Sequence, residues 1–377
     1  MIPIAIPLLE REEADAAREA VLSGWVSQGP QVAAFEREFA TLVGAPHACA
    51  VSNCTTALHV ALIAANIGPG DEVITVSHSF IATANCIRYC GAIPVFVDID
   101  PATYNIDPAL AADAITPRTR AIVLVHQMGM PCDLGSLVSL AKRHGLILIE
   151  DAACAAGSEI RFNGHWERIG KPHGDIACFS FHPRKVITTG EGGMLTTSNP
   201  EFDRKFRLLR QHGMSVPDTV RHGSSQVIFE DYLMVGFNYR MTDIQAAVGR
   251  KQLERLPELL SRRRTLASRY AQLLGNLRNL RLPNEPDWAR SNWQSYCVGL
   301  PERVDQRAVM QSLLDQGIAT RRGIMCAHRE LVYSNGGPHQ DLRQSEHAQD
   351  HSILLPIYAQ MDEHDQSRVA DALRAHL

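Results

Sequence analysis

Residues 121–151 read AIVLVHQMGMPCDLGSLVSLAKRHGLILIED. Two apolar runs, Ala121–His126 and Leu146–Glu150, flank a stretch with helical spacing, Leu134–Arg143, that stops at Gly145. Short runs of this kind, without polar alternation, suit strands buried on both faces. A strand, a helix and a second strand in succession place the two strands parallel. The alternation extends outward in both directions. Glu72–Val76, Ile93–Val97 and Ile176–Phe181 are further strand candidates. Thr56–Ala65, after a Thr55 cap, and Ser79–Cys90, before a Gly91 stop, have helical character. Gly192–Thr197 reads as an added strand after a glycine turn. The expected fold class is α/β, a doubly wound sheet with helices on both faces.

The pattern changes near residue 250. Met241–Leu256 and Glu258–Leu274 read as two long helices interrupted at Pro257. A Pro-rich loop (Leu282–Pro286), a strand (Gln294–Leu300), a helix (Val304–Gln316), a His/Gly-rich segment and a short terminal helix follow. This reads as a smaller α+β domain, so the expected division is 1–250 and 251–377. The segment Ala327–Gln349 is polar, His-rich and longer than a usual connection, which points to a functional loop or to disorder. The Arg-rich stretch Ser261–Arg269 has acids nearby and helical spacing, and reads as a solvated helix face or a dimer contact.

Composition narrows the function classes. The chain has 377 residues, 45% hydrophobic and 21% charged, with a formal net charge of -4. That balance argues against a nucleic-acid binder, which needs a concentrated basic face. No run approaches the ~18 apolar residues of a membrane span. The opening residues, MIPIAIPLLEREE, lack the basic start of a signal peptide. A cytoplasmic location is expected. The nine cysteines are odd in number and scattered, with no C-x-x-C pair. A disulfide framework, a zinc site and an iron–sulfur site all lack support, and no metal is expected. Most of these cysteines read as small buried hydrophobes.

Four stretches could carry chemistry. The run LILIED ends in Asp151, at the strand end where α/β sheets bind ligands. A helix cap or a buried paired acid would read the same way. In Ser180-Phe-His-Pro-Arg-Lys185, a lysine follows a strand and precedes the Gly-rich stretch of Gly190, Gly192 and Gly193. Partial burial would lower its pKa and make it a usable amine nucleophile. Ala50–Leu58 places small polar residues before a helix, as a phosphate site or a plain cap. Ser77–Thr83 places Phe80 after a strand end, as a stacking ring or a core residue.

Together these stretches resemble the DegT-type sugar aminotransferases, of the aspartate-aminotransferase-like (fold type I) group that uses pyridoxal 5'-phosphate. The resemblance runs nearly end to end. It rests on SGWVSQGPQVAAFE (23–36), SNCTTAL (52–58), GPGDEVI (68–74), PVFVDID (94–100), EDAACAAGS (150–158), FSFHPRKVITTGEGGM (179–194), RQHG (210–213), GFNYRMTDIQAAVG (236–249) and LLPIY (354–358). It implies a mostly parallel, seven-stranded-type sheet in the large domain. It makes Lys185 the lysine that forms the internal aldimine and moves the proton, and Asp151 the carboxylate paired with the pyridine nitrogen. Ser180, Thr55 and the backbone around Cys54 resemble the phosphate cup, and Phe80 the ring-stacking aromatic. Asn238 resembles the asparagine that reaches the phosphate of the neighbouring subunit, which implies a homodimer with shared sites.

Two positions depart from the family pattern. Cys154 stands where many relatives carry Gln or His near the cofactor, and a thiol is a poorer hydrogen-bond partner. Cys54 stands where Gly or Ala is common. His182 reads equally as a contact to the acceptor sugar or as a packed structural residue. His328 is a candidate acceptor contact. Arg321 and Arg322 are candidates for a diphosphate or carboxylate, with a solvated loop as the plainer reading. The implied reaction moves an amine from an amino acid, L-glutamate foremost, to a keto sugar. A nucleotide-linked 4-keto sugar of lipopolysaccharide, glycan or antibiotic synthesis is the implied acceptor, with an oxidised octulosonate or a keto-cyclitol as alternatives. A dehydratase on this scaffold would lack Lys185 or carry a cysteine cluster. A non-enzymatic cofactor-binding regulator would not need Lys185 and Asp151 intact.

Overall fold

The computed structural model describes residues 1–216, 220–221, 224–333 and 341–377. The apolar runs become the strands of one sheet. In chain order they are β1 (His47–Val51), β2 (Glu72–Val76), β3 (Ile93–Val97), β4 (Thr119–Val125), β5 (Ile147–Asp151), β8 (Ile176–Ser180) and β9 (Gly193–Thr197). Between β5 and β8 a side hairpin forms from β6 (Glu159–Phe162) and β7 (His165–Arg168), and the later short strand β10 (Ala289–Arg290) pairs with β6. The seven-stranded sheet has the order β1-β9-β8-β5-β4-β2-β3. The β2, β3, β4, β5 and β8 pairings are parallel, whereas β9 is antiparallel to both β8 and β1. The reason is the β8–β9 connection, residues 181–192, which folds as turns. It holds no crossover helix, so the chain must return beside β8 in the opposite direction. The mostly parallel α/β sheet expected from the sequence is present.

Helices cover both faces. Cys54–Ala64 is capped by the Asn53 side chain, which accepts from Thr56 N at 2.9 Å; the expected Thr55 cap lies one residue inside the helix. The predicted Ser79–Cys90 helix shortens to Ala82–Tyr89, because residues 77–80 form the loop after β2. Asp133 caps Leu134–His144, and Gly145, at φ 63°, ends it. The two long helices expected around Pro257 are a single helix, Asp243–Leu274. An interior proline costs roughly 3 kcal/mol in a helix. Burial of Leu253, Leu256, Leu259 and Leu260 around it offsets that cost, at roughly 1.5–3 kcal/mol per side chain. Asp243 also caps the helix Pro30–Val43, accepting from Gly29 N at 2.8 Å and Val32 N at 2.9 Å.

A three-stranded sheet forms a second unit from β11 (Tyr296–Gly299), β12 (Arg321–Arg322) and β13 (Ser352–Leu355), in the order β11-β13-β12. Its core holds Tyr270, Tyr296, Leu313, Ile353 and Leu373, while Leu253 to Leu260 belong to the core of the large sheet. The long helix therefore serves both. Ile2 crosses to the small core and bridges Ile318. The expected long loop 327–349 contains a 3-10 turn, Ala327–Arg329, and the start of a helix, Arg343–His351; its residues 334–340 lie outside the described residues. Among the described residues, no helix is long and apolar enough to cross a membrane. No group of three or more possible metal ligands occurs among them either.

Candidate active site

The strand register brings the quoted motifs together. Val125 is level with Asp151, Ser180 with Gly193, and Val51 with Gly193, so the loops after β1, β4, β5 and β8 leave from one edge of the sheet. A cavity of about 480 Å³ lies at this edge, against Leu354 and Leu355 of β13 in the small unit. Cys54, Thr55, Phe80, Asp151, Cys154, Ser180, His182 and Lys185 all line it.

Asp151 sits at the last position of β5, with its side chain fixed on both oxygens. Thr83 donates to Oδ2 at 2.7 Å and Ala153 N donates to Oδ1 at 3.2 Å. Burial pushes its carboxyl above the ordinary range, against the lowering effect of these bonds and of Lys185. No cation pairs directly with this acid among the described residues. The residue before it faces the opposite way. Glu150 Oε2 is 2.9 Å from His126 Nε2, and both side chains are wholly buried.

Lys185 rides on the turn between β8 and β9. Its N–H donates to His182 O at 2.8 Å, and Thr189 N returns to Phe181 O at 3.0 Å, which closes the loop under it. Its Nζ donates to Cys154 Sγ at 3.1 Å. The expected lowering of its pKa is not what the site produces. Burial works against the charge, but Cys154, Cys54 and Asp151 outweigh it and hold the ammonium above the ordinary lysine value. A cationic group paired with Asp151 would cancel part of that support.

The phosphate-like corner is built from backbone. Asn53 takes the Thr56 N–H, so the N–H groups of Cys54 and Thr55 in the first turn are left without an intrahelical acceptor. The start of β9 must pass very close to this turn. A Cβ on Gly193 would sit 2.4 Å from Asn53 O, so only glycine fits there. Burial pushes the Cys54 thiol far up, so it stays protonated, which leaves the backbone N–H groups beside it as the part of this turn able to take an anion.

Not every predicted contact converges. His328 is absent from the cavity wall: its Nδ1 is 2.7 Å from Ser77 Oγ and its Nε2 is 3.0 Å from Glu346 Oε1. It ties the loop after β2 to Arg343–His351 instead of reaching an acceptor. Arg322 also lies off this wall. Successive strand residues face opposite ways, so Arg321 lines the cavity while Arg322 turns toward Glu330, 3.6 Å away. His182 does line the cavity, and its Nδ1 also accepts from Arg184 N at 3.2 Å, so it shapes the lysine turn. Phe80 is 65% exposed although it lines the cavity wall. Asn238 is exposed, forms a backbone bridge with Gln211, and does not line the cavity described above. Thr83, Arg184 and Gln294 were not singled out from the sequence. Only Arg184 carried a signal, its place beside Lys185.

The comparisons with known proteins agree with this geometry. The model of the DegT/DnrJ/EryC1/StrS aminotransferase family matches residues 7–374. The chain belongs to this family. It is 41% identical to the GDP-perosamine synthase of Caulobacter vibrioides, over 99% of this chain and 97% of that one. It is 38% identical to the spore coat polysaccharide biosynthesis protein SpsC of Bacillus subtilis, over 99% and 96%. The crystal structure of the aminotransferase TlmJ from Streptoalloteichus hindustanus superposes with a TM-score of 0.91 at 34% identity, covering 100% of this chain and 98% of that one. The aminotransferase fold and the use of pyridoxal phosphate follow from family membership. The cavity fits that cofactor: a buried carboxylate lacking a cation, a lysine beside it, and two first-turn N–H groups without intrahelical acceptors.

Proposed function

We propose that this aminotransferase moves an amine from L-glutamate to a nucleotide-linked 4-keto sugar in aminosugar synthesis. The observation that carries the reading is the convergence of Lys185, Asp151 and the Cys54–Thr55 turn on one cavity. The identity to a GDP-perosamine synthase supports a nucleotide-linked acceptor. Pyridoxal phosphate, when bound, supplies an electron sink for the carbon that loses or gains the amine.

The chain's own residues then have separate tasks. Lys185 anchors the cofactor and carries the proton to and from the substrate carbon. Asp151, held by Thr83 and Ala153, would pair with the ring nitrogen of the bound cofactor and favour its protonated form. The Cys54 and Thr55 N–H groups, with Ser180, take the phosphate at the positive end of Cys54–Ala64. Phe80, on the cavity wall, would stack on the cofactor ring, and Cys154 lies beside Lys185 where a relative's amide or imidazole would stand. The two structural units divide near residue 250, with the cavity between them and Asp243–Leu274 as the joint.

We place the complete site in a homodimer working in the cytoplasm. Val227, Phe229 and Val235 are each at least 85% exposed, on the segment that ends at Asn238, an apolar surface that a second copy would cover. Asn238→Ala should weaken cofactor affinity by about tenfold, the effect of removing one hydrogen bond to a charged group. A titration of cofactor-free protein measures this, and an unchanged affinity would argue against the shared site. The activity itself is tested by incubation with L-glutamate and a panel of nucleotide-linked 4-keto sugars. Formation of 2-oxoglutarate with an aminosugar product is expected. Turnover only with a sugar lacking the nucleotide would overturn the acceptor assignment.

A further inference from the structure

The charged lining of the cavity contains two arginines that the fold leaves uncompensated. Arg184 comes from the lysine turn and Arg321 from β12, one from each side of the cavity. Among the described residues, neither guanidinium has an ion-pair or hydrogen-bond acceptor. Both are exposed, whereas several less exposed guanidiniums elsewhere meet acids. Arg255 meets Glu10, Glu12 and Glu13, Arg250 meets Glu38, and the buried Arg210 meets Glu36. Burial and the neighbouring Arg321 both lower the pKa of Arg184, as expected where two like charges share a partly desolvated space.

Gln294 adds an independent observation. It lines the cavity at 9% exposure, and its Nε2 donates to Arg184 O, which fixes the turn carrying that arginine. Its Oε1 is buried with no hydrogen-bond partner. An unpaired buried acceptor is costly unless a ligand donor reaches it. Beside Lys185 and the acids Asp151 and Glu191, the wall therefore offers two forked cationic donors and one neutral acceptor. That set matches a ligand with an oxyanion beside a hydroxyl or an amine.

We propose that Arg184 and Arg321 form an oxyanion subsite that holds a carboxylate or phosphate group of the substrate, with Gln294 accepting from an adjacent donor. The inference rests on the reading of this cavity as the aminotransferase site. It makes Arg184 and Arg321 specificity-determining residues, positioned so that an anionic substrate is drawn in beside Lys185. The carboxylate of the amino donor and an anionic group of the acceptor are two sources of the same chemistry.

The test is calorimetric titration of the cofactor-loaded enzyme with 2-oxoglutarate and, separately, with inorganic pyrophosphate. Arg184→Gln and Arg321→Gln should each raise the dissociation constant about 10- to 100-fold for at least one probe, the loss expected for a charge-assisted contact. Arg322→Gln, one residue along and turned toward Glu330, should leave both constants unchanged. A loss confined to 2-oxoglutarate assigns the subsite to the donor carboxylate. A loss confined to pyrophosphate assigns it to an acceptor phosphate, and a loss for both means that the two share it. The retained visible band of the bound cofactor reports that each variant is folded. Unchanged constants for both probes in both arginine variants would overturn the proposal. Spectral conversion of the wild-type cofactor by L-glutamate is read alongside. If conversion occurs while the constants stay unchanged, the subsite fails and the activity stands. If conversion fails while pyrophosphate binding depends on both arginines, the subsite stands and the activity assignment fails.

Discussion

Lys185→Ala is expected to leave a folded protein with no covalent cofactor band in the visible spectrum. Transamination should fall by at least about 10⁴-fold, since one side chain supplies both the covalent anchor and the acid–base group. Folding should survive because Lys185 is a lining residue. Its Nζ contacts the Cys154 thiol, and its loop is closed by the Phe181, Thr188 and Thr189 bonds, which alanine leaves intact. The thermal midpoint and the oligomeric state report folding, and single-turnover spectra report the chemistry. Full retention of transamination would remove Lys185 from the account.

The second large effect is at Asp151. Asp151→Asn keeps the size of the side chain, and an amide oxygen can still accept from Thr83. It removes the charge and one acceptor, so the longer bond, from Ala153 N at 3.2 Å, is lost. The rate of the donor half-reaction should fall on the order of 10²–10³-fold, the scale seen when one preorganised electrostatic group is lost from an active site. Stability should behave differently from activity. Burial raises the Asp151 pKa, so the folded protein carries its charge at a cost. The neutral amide removes that cost, which offsets the lost Ala153 N–H bond, and the cofactor-free variant should unfold close to the parent temperature. A wild-type half-reaction rate in this variant would show that Asp151 is not the ring partner.

Much of this site could be read from the chain because parallel strands advertise themselves. Each of β2, β3, β4, β5 and β8 is a short apolar run, and the residues that matter sit where the run ends. Asp151 closes β5 and Ser180 closes β8, so one rule about strand ends locates both. The reversal of β9 was not legible, because residues 181–192 are long enough for a crossover helix and fold as turns instead. The single helix through Pro257 was not legible either, since the leucines around that proline are buried by tertiary contacts that no local pattern reveals.

The substrate side of the cavity was harder to read. Arg321 and Arg322 differ in which face of a two-residue strand they occupy, and that strand is defined only by its pairing with β13. His328 and its neighbours gave no sign that Ser77 and Glu346, distant in sequence, would take both ring nitrogens. Gln294 matters through an oxygen that the fold leaves unpaired, a property of three-dimensional packing alone. The expected lowering of the Lys185 pKa failed for a related reason. Burial was foreseeable, whereas the thiols of Cys154 and Cys54 and the acid of Asp151 gather around the amine only in the folded chain.

The most direct test of the account is the visible spectrum of the purified, cofactor-loaded protein before and after addition of L-glutamate. The account predicts a lysine-bound cofactor band that converts to the spectrum of the aminated cofactor, with one equivalent of 2-oxoglutarate released per site. A band that forms and then does not change with L-glutamate would contradict the proposed donor reaction.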